Sequence, residues 1–94
     1  MKQAIKFNNT IVLAEFKENK VIKVYGDRTL SDIIRGLFRE PIDTTTGYYD
    51  EGVMHTELIT LNPGDTGYVE AVLYDRIQDH GMQLVSVEEF DNGN

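Results

Sequence analysis

Only two stretches of this sequence have the spacing of an amphipathic helix, and segments rich in β-branched and aromatic residues surround both. The first stretch, residues 29–38, places apolar residues at i, i+3, i+4, i+7 and i+8, one stripe of a 3.6-residue period. Thr29 is the expected cap of this helix. The second helix is expected to start after a cap at Asp65 or Thr66 and to run to about His80. Most of the remaining chain is therefore available for strands.

The other apolar segments predict a sheet. Strands are predicted over residues 3–7, 11–16, 21–25, 53–61 and 82–90. The Thr- and Tyr-rich stretch 43–52 lies between the first helix and the strand at 53–61, and two interpretations of it stay open. It is either the first strand of a hairpin with a short glycine-containing turn, or a mobile loop.

The order of these elements predicts an α+β fold. If residues 43–52 form a strand, two helices pack on one face of a sheet of four or five mainly antiparallel strands, in the ferredoxin-like split β-α-β order with an extra N-terminal strand. If they form a loop, the alternative is a mixed sheet in which a hairpin is followed by β-α-β-α-β. Either way, residues 1–90 are expected to form a single domain, with residues 91–94 as a frayed tail.

Charge is divided unevenly along the chain, whose net charge is −7. Residues 1–40 hold eight of the nine Lys and Arg residues and five acids, whereas residues 41–94 hold only Arg76 and eleven acids. Nucleic acids and anionic membrane surfaces are bound by clustered Lys and Arg, so direct contact with either is not expected. The sequence has no apolar run of signal-peptide or transmembrane length, so the chain is predicted to be cytoplasmic. Because it contains no cysteine, zinc-thiolate sites and iron–sulfur clusters are excluded, and no cofactor is predicted.

Side chains suited to catalysis are sparse. Ser31 is expected in the first turn of a helix and Ser86 within a strand, and neither has the glycine-flanked turn of a nucleophile elbow. Asp75 and Asp79 could share a divalent cation, but their spacing matches no metal-ligand pattern, so no metal site is predicted. The chain is therefore predicted not to be an enzyme, and a metal-dependent enzyme is the least favoured alternative.

The tip of the stretch 43–52 combines aromatic and acidic residues. Tyrosine is enriched at protein interfaces, and neighbouring acids orient a basic partner; the alternative is a tyrosine pair alternating across a strand beside an acidic turn. The predicted partner-binding residues are Tyr48, Tyr49, Asp50, Glu51, Glu70, Asp75 and Asp79.

These residues favour a protein-binding or regulatory module that docks on a basic surface of another protein. A sharper form of this hypothesis is an inhibitor of phage or plasmid type that imitates the charge of a nucleic acid. An exposed strand edge would also allow two copies to pair as a homodimer.

Arg76 supports a second hypothesis. It falls within the apolar stripe of the second helix, where a guanidinium must find a carbonyl or carboxylate, extend to solvent, or meet an anionic ligand. The preceding turn, residues 62–67, could present its amides to an anion, although capping accounts for the same residues. The alternative function is thus a nucleotide- or phosphate-binding domain. Its ligand-binding residues would be Arg76, Gly64, Thr66 and Gly67.

Overall fold

The computed structural model describes residues 1–93, which form six strands and three helices. The strands are β1 (Lys2–Phe7), β2 (Thr10–Lys17), β3 (Lys20–Tyr25), β4 (Ile42–Asp50), β5 (Val53–Leu61) and β6 (Gln83–Val85). The helices are α1 (Arg28–Leu37), α2 (Tyr68–Ala71), which continues as a π-helical segment (Val72–Ile77), and α3 (Val87–Gly93). The predicted α+β class is confirmed.

The main sheet contains four strands in the order β3-β2-β1-β6, and each neighbouring pair is antiparallel. The mainly antiparallel pairing is therefore confirmed. The ferredoxin-like order is not found, because β4 and β5 pair with each other and with no other strand of residues 1–93. The mixed-sheet alternative is not found either, since β6 joins the sheet antiparallel to β1.

One face of the main sheet carries the hydrophobic core. Ile5 of β1 lies opposite Val12 of β2 in the strand register, and α1 and α2 pack over this face. Burying an Ile, Leu or Phe side chain contributes about 1.5–3 kcal/mol, so this layer holds the helices on the sheet. The helix residues of the core are Leu30, Ile34, Phe38, Tyr68, Val69, Val72, Leu73 and Ile77.

The opposite face is covered by α3, which contacts β1 and β2 near the buried residues Ala4 and Leu13. The predicted strand 82–90 is therefore right only over β6, and the chain turns into a helix after Ser86. The Ser86 hydroxyl and carbonyl both accept from the amide of Glu89, at 3.3 and 3.1 Å, which starts the helix. The predicted tail, 91–94, begins within α3, and Asn94 lies outside the described residues.

Both predicted helix caps are wrong. Asp27 caps α1 in place of Thr29, because Gly26, at a φ of 119°, turns the chain so that the Asp27 carboxylate accepts from the Leu30 amide at 2.9 Å. At α2 the cap position is Gly67, which has no side chain to offer. The Asp65 carboxylate instead accepts from the Asn62 amide at 2.8 Å and closes the preceding turn.

The pair β4 and β5 forms a long hairpin, in continuous register from Ile42 opposite Leu61 to Asp50 opposite Val53. Its two turn residues have positive φ angles of 51° and 80°, as a type I′ turn requires. The hairpin interpretation is thus confirmed and the mobile-loop alternative is wrong. Nine residues of strand span about 30 Å, which accounts for a molecule of 52 × 21 × 21 Å.

Candidate protein-binding hairpin

The β4–β5 hairpin meets the rest of the molecule only at its base. Ile42 is buried in the core and Leu61 is half-buried against it, whereas all residues from Thr45 to Leu58 are exposed. Alternate residues of a strand point to opposite faces, so Ile42 and Leu61 place one face of the base against the core. The other face is open to solvent along its length.

This open face carries three large apolar side chains. Tyr49 lies opposite Met54, and Leu58 lies opposite Thr45 on the same side, with exposed fractions of 76% for Tyr49, 53% for Met54 and 72% for Leu58. We call Tyr49, Met54 and Leu58 the apolar face of the hairpin. Gly47 lets Met54 lie flat across it, because a Cβ at this position would be 3.0 Å from the Met54 Cε atom.

The reverse face near the tip is stiffened by one aromatic contact. The rings of Tyr48 and His55 stack with centroids 5.2 Å apart and planes 18° from parallel. Such a cross-strand pair stabilises a hairpin by about 0.2–1 kcal/mol. Tyr48 is therefore held beside the turn, while Tyr49 points to the apolar face. The predicted alternation of the two tyrosines is present, but neither ring reaches the core.

The hairpin is also negatively charged. It contains Asp43, Asp50, Glu51 and Glu57 and neither Lys nor Arg. Within residues 1–93 the one ion pair joins Arg35 to Asp32 at 2.9 Å, so none of the hairpin carboxylates is neutralised. Met54 and Leu58 were not among the predicted binding residues. Their spacing of four in a strand places them on one face, and this spacing is the signal in the sequence that could have found them.

The other acidic residues predicted to bind a partner lie elsewhere. Asp75 and Asp79 line a cavity of about 390 Å³ at the base of the hairpin, together with Asp43. Glu70 lines a different cavity, beside Met1 and Lys17 among others. The structure therefore gathers the four predicted tip residues, but it places Asp75 and Asp79 roughly 20 Å away at the other end of the strands.

Arg76 is bound to the backbone of the connection between α1 and β4. Its guanidinium donates to the carbonyls of Leu37 (2.9 Å), Glu40 (2.9 Å) and Pro41 (2.6 Å). The Tyr68 hydroxyl donates to the same Glu40 carbonyl at 2.6 Å. Burial raises the pKa of Tyr68, and the neighbouring Arg76 charge opposes this effect. The sequence allowed a carbonyl, a carboxylate, solvent or an anionic ligand as the partner of Arg76, and the structure shows backbone carbonyls.

The turn before α2 is also satisfied within the chain. The Gly64 amide donates to the Asn19 carbonyl at 3.0 Å, and the Asp65 amide donates to the Asn62 carbonyl at 2.9 Å. Gly67 precedes a helical segment of only four residues before the π-helical segment begins. Gly64, Thr66 and Gly67 therefore lie in a closed turn that is bonded to the β2–β3 connection.

Two further observations concern metal-binding clusters and membrane-spanning helices. Across residues 1–93, no three His, Asp or Glu side chains lie close enough together to hold a metal ion. No helix in this part of the chain has the length and apolar character needed to cross a membrane.

No protein-family model, curated protein or solved structure matches the chain.

The distal hairpin is expected to open independently of the core, because its strands are supported only by each other and an isolated hairpin is marginally stable. Amides of residues 46–53 should exchange with deuterium at least about a hundredfold faster than those of β1 and β2. Hydrogen exchange measured by NMR checks this, with the β2–β3 hairpin as a control that has a similar turn but packs on the core. Equal protection in both hairpins would contradict the prediction.

Proposed function

We propose that this chain is a non-catalytic protein-binding module and that the β4–β5 hairpin is its docking arm. One observation carries the proposal: the arm extends from the body and presents the apolar face of Tyr49, Met54 and Leu58 to solvent. Exposed apolar patches on otherwise soluble folds mark interaction surfaces. A partner bound to this face would remove three large side chains from water. It would also stabilise the distal part of the hairpin, whose two strands are supported only by each other.

The charge of the arm selects the partner. Four carboxylates without a neutralising cation favour a basic surface, steer its approach and disfavour acidic surfaces. The partner would offer an apolar groove flanked by Lys and Arg. A cleft that binds nucleic acid has such a rim, so an inhibitor of phage or plasmid type that occupies the cleft of a nucleic-acid-handling protein is the sharper form of the proposal. We place this activity in the cytoplasm.

A homodimer formed by pairing two copies through the hairpin edge is less favourable than the binding of a basic partner. It would bring the four carboxylates of one arm against those of another, and like charges directly opposite each other are destabilising. We therefore expect a monomer in solution at moderate salt. Direct binding to DNA or RNA is equally disfavoured, because no Lys or Arg occurs between Arg39 and Arg76.

Parallel capture from a lysate of the source cells tests the proposal. Wild type, the arm variant Tyr49→Ser/Met54→Ser/Leu58→Ser and the control Ile22→Ser/Ile33→Ser/Tyr74→Ser are immobilised at equal density. The control changes three exposed apolar residues outside the arm. A basic protein should be retained by wild type and control and lost from the arm variant. Its binding should fall at least about tenfold between roughly 50 mM and 500 mM salt.

The outcomes separate clearly. Retention of the same proteins by all three samples would contradict the role of the arm. An acidic partner, or binding that does not change with salt, would contradict the charge argument while leaving the apolar face in place. Circular dichroism of each variant shows that the main sheet is intact before capture is compared.

A further inference from the structure

A third cavity differs in charge from the rest of this acidic molecule. It has a volume of about 390 Å³ and lies where the start of β3, the end of α1 and the turn after β5 meet. Its lining residues are Lys20, Val21, Arg35, Phe38, Arg39 and Pro63. Three of the six lining residues are thus cationic and the other three are apolar, in a chain of net charge −7.

The walls of this cavity are fixed by contacts outside it. The Asn19 carbonyl accepts from the Gly64 amide at 3.0 Å, which joins the β2–β3 turn to the turn that contains Pro63. Phe38 packs on Phe16 with ring centroids 5.0 Å apart. Because each wall belongs to an element anchored in the core, the cavity is preformed, as small-molecule sites usually are.

The positive charge in this cavity is largely uncompensated. Arg35 is paired with Asp32 and also donates to the Val24 carbonyl. The side chains of Lys20 and Arg39 form no hydrogen bond or ion pair with any part of the chain that the structure describes. Lys17 also lies directly opposite Lys20 in the strand register, a like-charge pair that is destabilising by itself. An anion in the cavity would relieve that repulsion.

The cavity beside Arg76 has the opposite character. It is lined by Asp43, Asp75 and Asp79, whose carboxylates repel an anion. The Arg76 guanidinium also donates three hydrogen bonds to backbone carbonyls, so much of its hydrogen-bonding capacity is already used. An anionic ligand is therefore better accommodated at Lys20, Arg35 and Arg39 than at Arg76.

We propose that the Lys20–Arg35–Arg39 cavity binds a phosphomonoester on a compact organic group, of about the size of a mononucleotide. A volume in the range of roughly 300–1,000 Å³ suits a small molecule. The cations receive the dianionic phosphate, and the apolar lining residues receive the organic group. A polymeric nucleic acid does not fit, because the acidic arm starts from the same end of the body. This site is independent of the proposed docking arm.

NMR titration of the ¹⁵N-labelled protein tests the site, with AMP as the probe and adenosine, inorganic phosphate and benzoate as comparisons. Saturable AMP-induced shifts are expected at the amides of Val21, Phe38, Arg39 and Gly64. Binding should weaken at least about tenfold without the phosphate, and also without the organic group. Equal or tighter binding of benzoate would overturn the choice of a phosphomonoester.

A charge-matched pair of variants locates the site. Lys20→Gln/Arg39→Gln removes two cations from the cavity, and Lys2→Gln/Arg28→Gln removes two exposed cations outside it. AMP affinity should fall at least about tenfold in the first variant and stay within about twofold of wild type in the second. Equal losses in both, shifts spread over the whole surface, or no shift at millimolar AMP would overturn the proposal. The arm variant should bind AMP like wild type.

Discussion

Replacing Arg76 with methionine should lower the free energy of unfolding by about 2–4 kcal/mol. Methionine keeps most of the apolar stem, so the change removes mainly the guanidinium and its three hydrogen bonds to the carbonyls of Leu37, Glu40 and Pro41. Hydrogen bonds from a charged donor contribute about 1.5–3 kcal/mol each, less where solvent can replace them. Glu40 keeps the hydroxyl of Tyr68, but no other donor among residues 1–93 bonds to the carbonyls of Leu37 and Pro41.

Urea unfolding followed by circular dichroism measures this loss, with Arg39→Met as the matched control. The Arg39 side chain is exposed and forms no hydrogen bond or ion pair within the described chain, so its replacement should change stability by less than about 0.5 kcal/mol. Arg76→Lys should fall between the two, because an ammonium cannot reach three carbonyls with the planar fork of a guanidinium. Equal stability of Arg76→Met and Arg39→Met would contradict the structural role.

The sequence predicts that Arg76 needs a partner but does not determine which one. Its place in an apolar stripe indicates that the guanidinium needs a partner, and a backbone carbonyl was one of the candidates. Which partner the guanidinium finds depends on how the end of α1 approaches the π-helical segment. Arg76 is separated in sequence by 39 positions from Leu37 and by 36 positions from Glu40. The π-helical hydrogen bonding also widens the turn, so a 3.6-residue wheel misplaces side chains across this segment.

Turns were predictable because their causes are local. The connections at Asn8–Asn9, between β2 and β3, and at Glu51–Gly52 each contain Asn or Gly at positive φ, and they lie between the strands predicted over residues 3–7, 11–16 and 21–25 and within the stretch 43–52. Sheet membership is not local. β4 and β5 have strand propensity and pair with each other, but nothing in their own residues determines whether they join the main sheet or leave it.

The third helix could have been found from the sequence. Ser86 and Glu89 form the S-x-x-E pattern of a helix start, which competes with the alternation of residues 82–90. The helix prevails because the second face of the sheet, with Ala4 and Leu13, needs a covering layer that a continued strand would not provide. The cationic cavity could not be found in this way, because its lining residues come from three separate elements.

Shortening the docking arm should abolish partner binding while leaving the fold intact. Deleting residues 46–49 together with residues 54–57 removes four cross-strand pairs and keeps the turn, and the even number preserves the alternation of faces. These residues are all exposed, so the free energy of unfolding should change by less than about 1 kcal/mol. Affinity for the captured partner should fall at least about a hundredfold, because Tyr49 and Met54 are removed.

Calorimetry with the purified partner separates the two ways in which a hairpin can bind. The triple serine variant keeps the length and backbone edges of the arm but removes its apolar face. If the shortened and serine variants both lose binding, the side chains of Tyr49, Met54 and Leu58 carry the interaction. If the serine variant binds like wild type while the shortened one does not, the partner pairs with a free strand edge by β-strand addition instead. Full affinity of the shortened arm would show that Tyr49 and Met54 do not contribute to the interface, since the shortened arm keeps only the base, Leu58 and the turn.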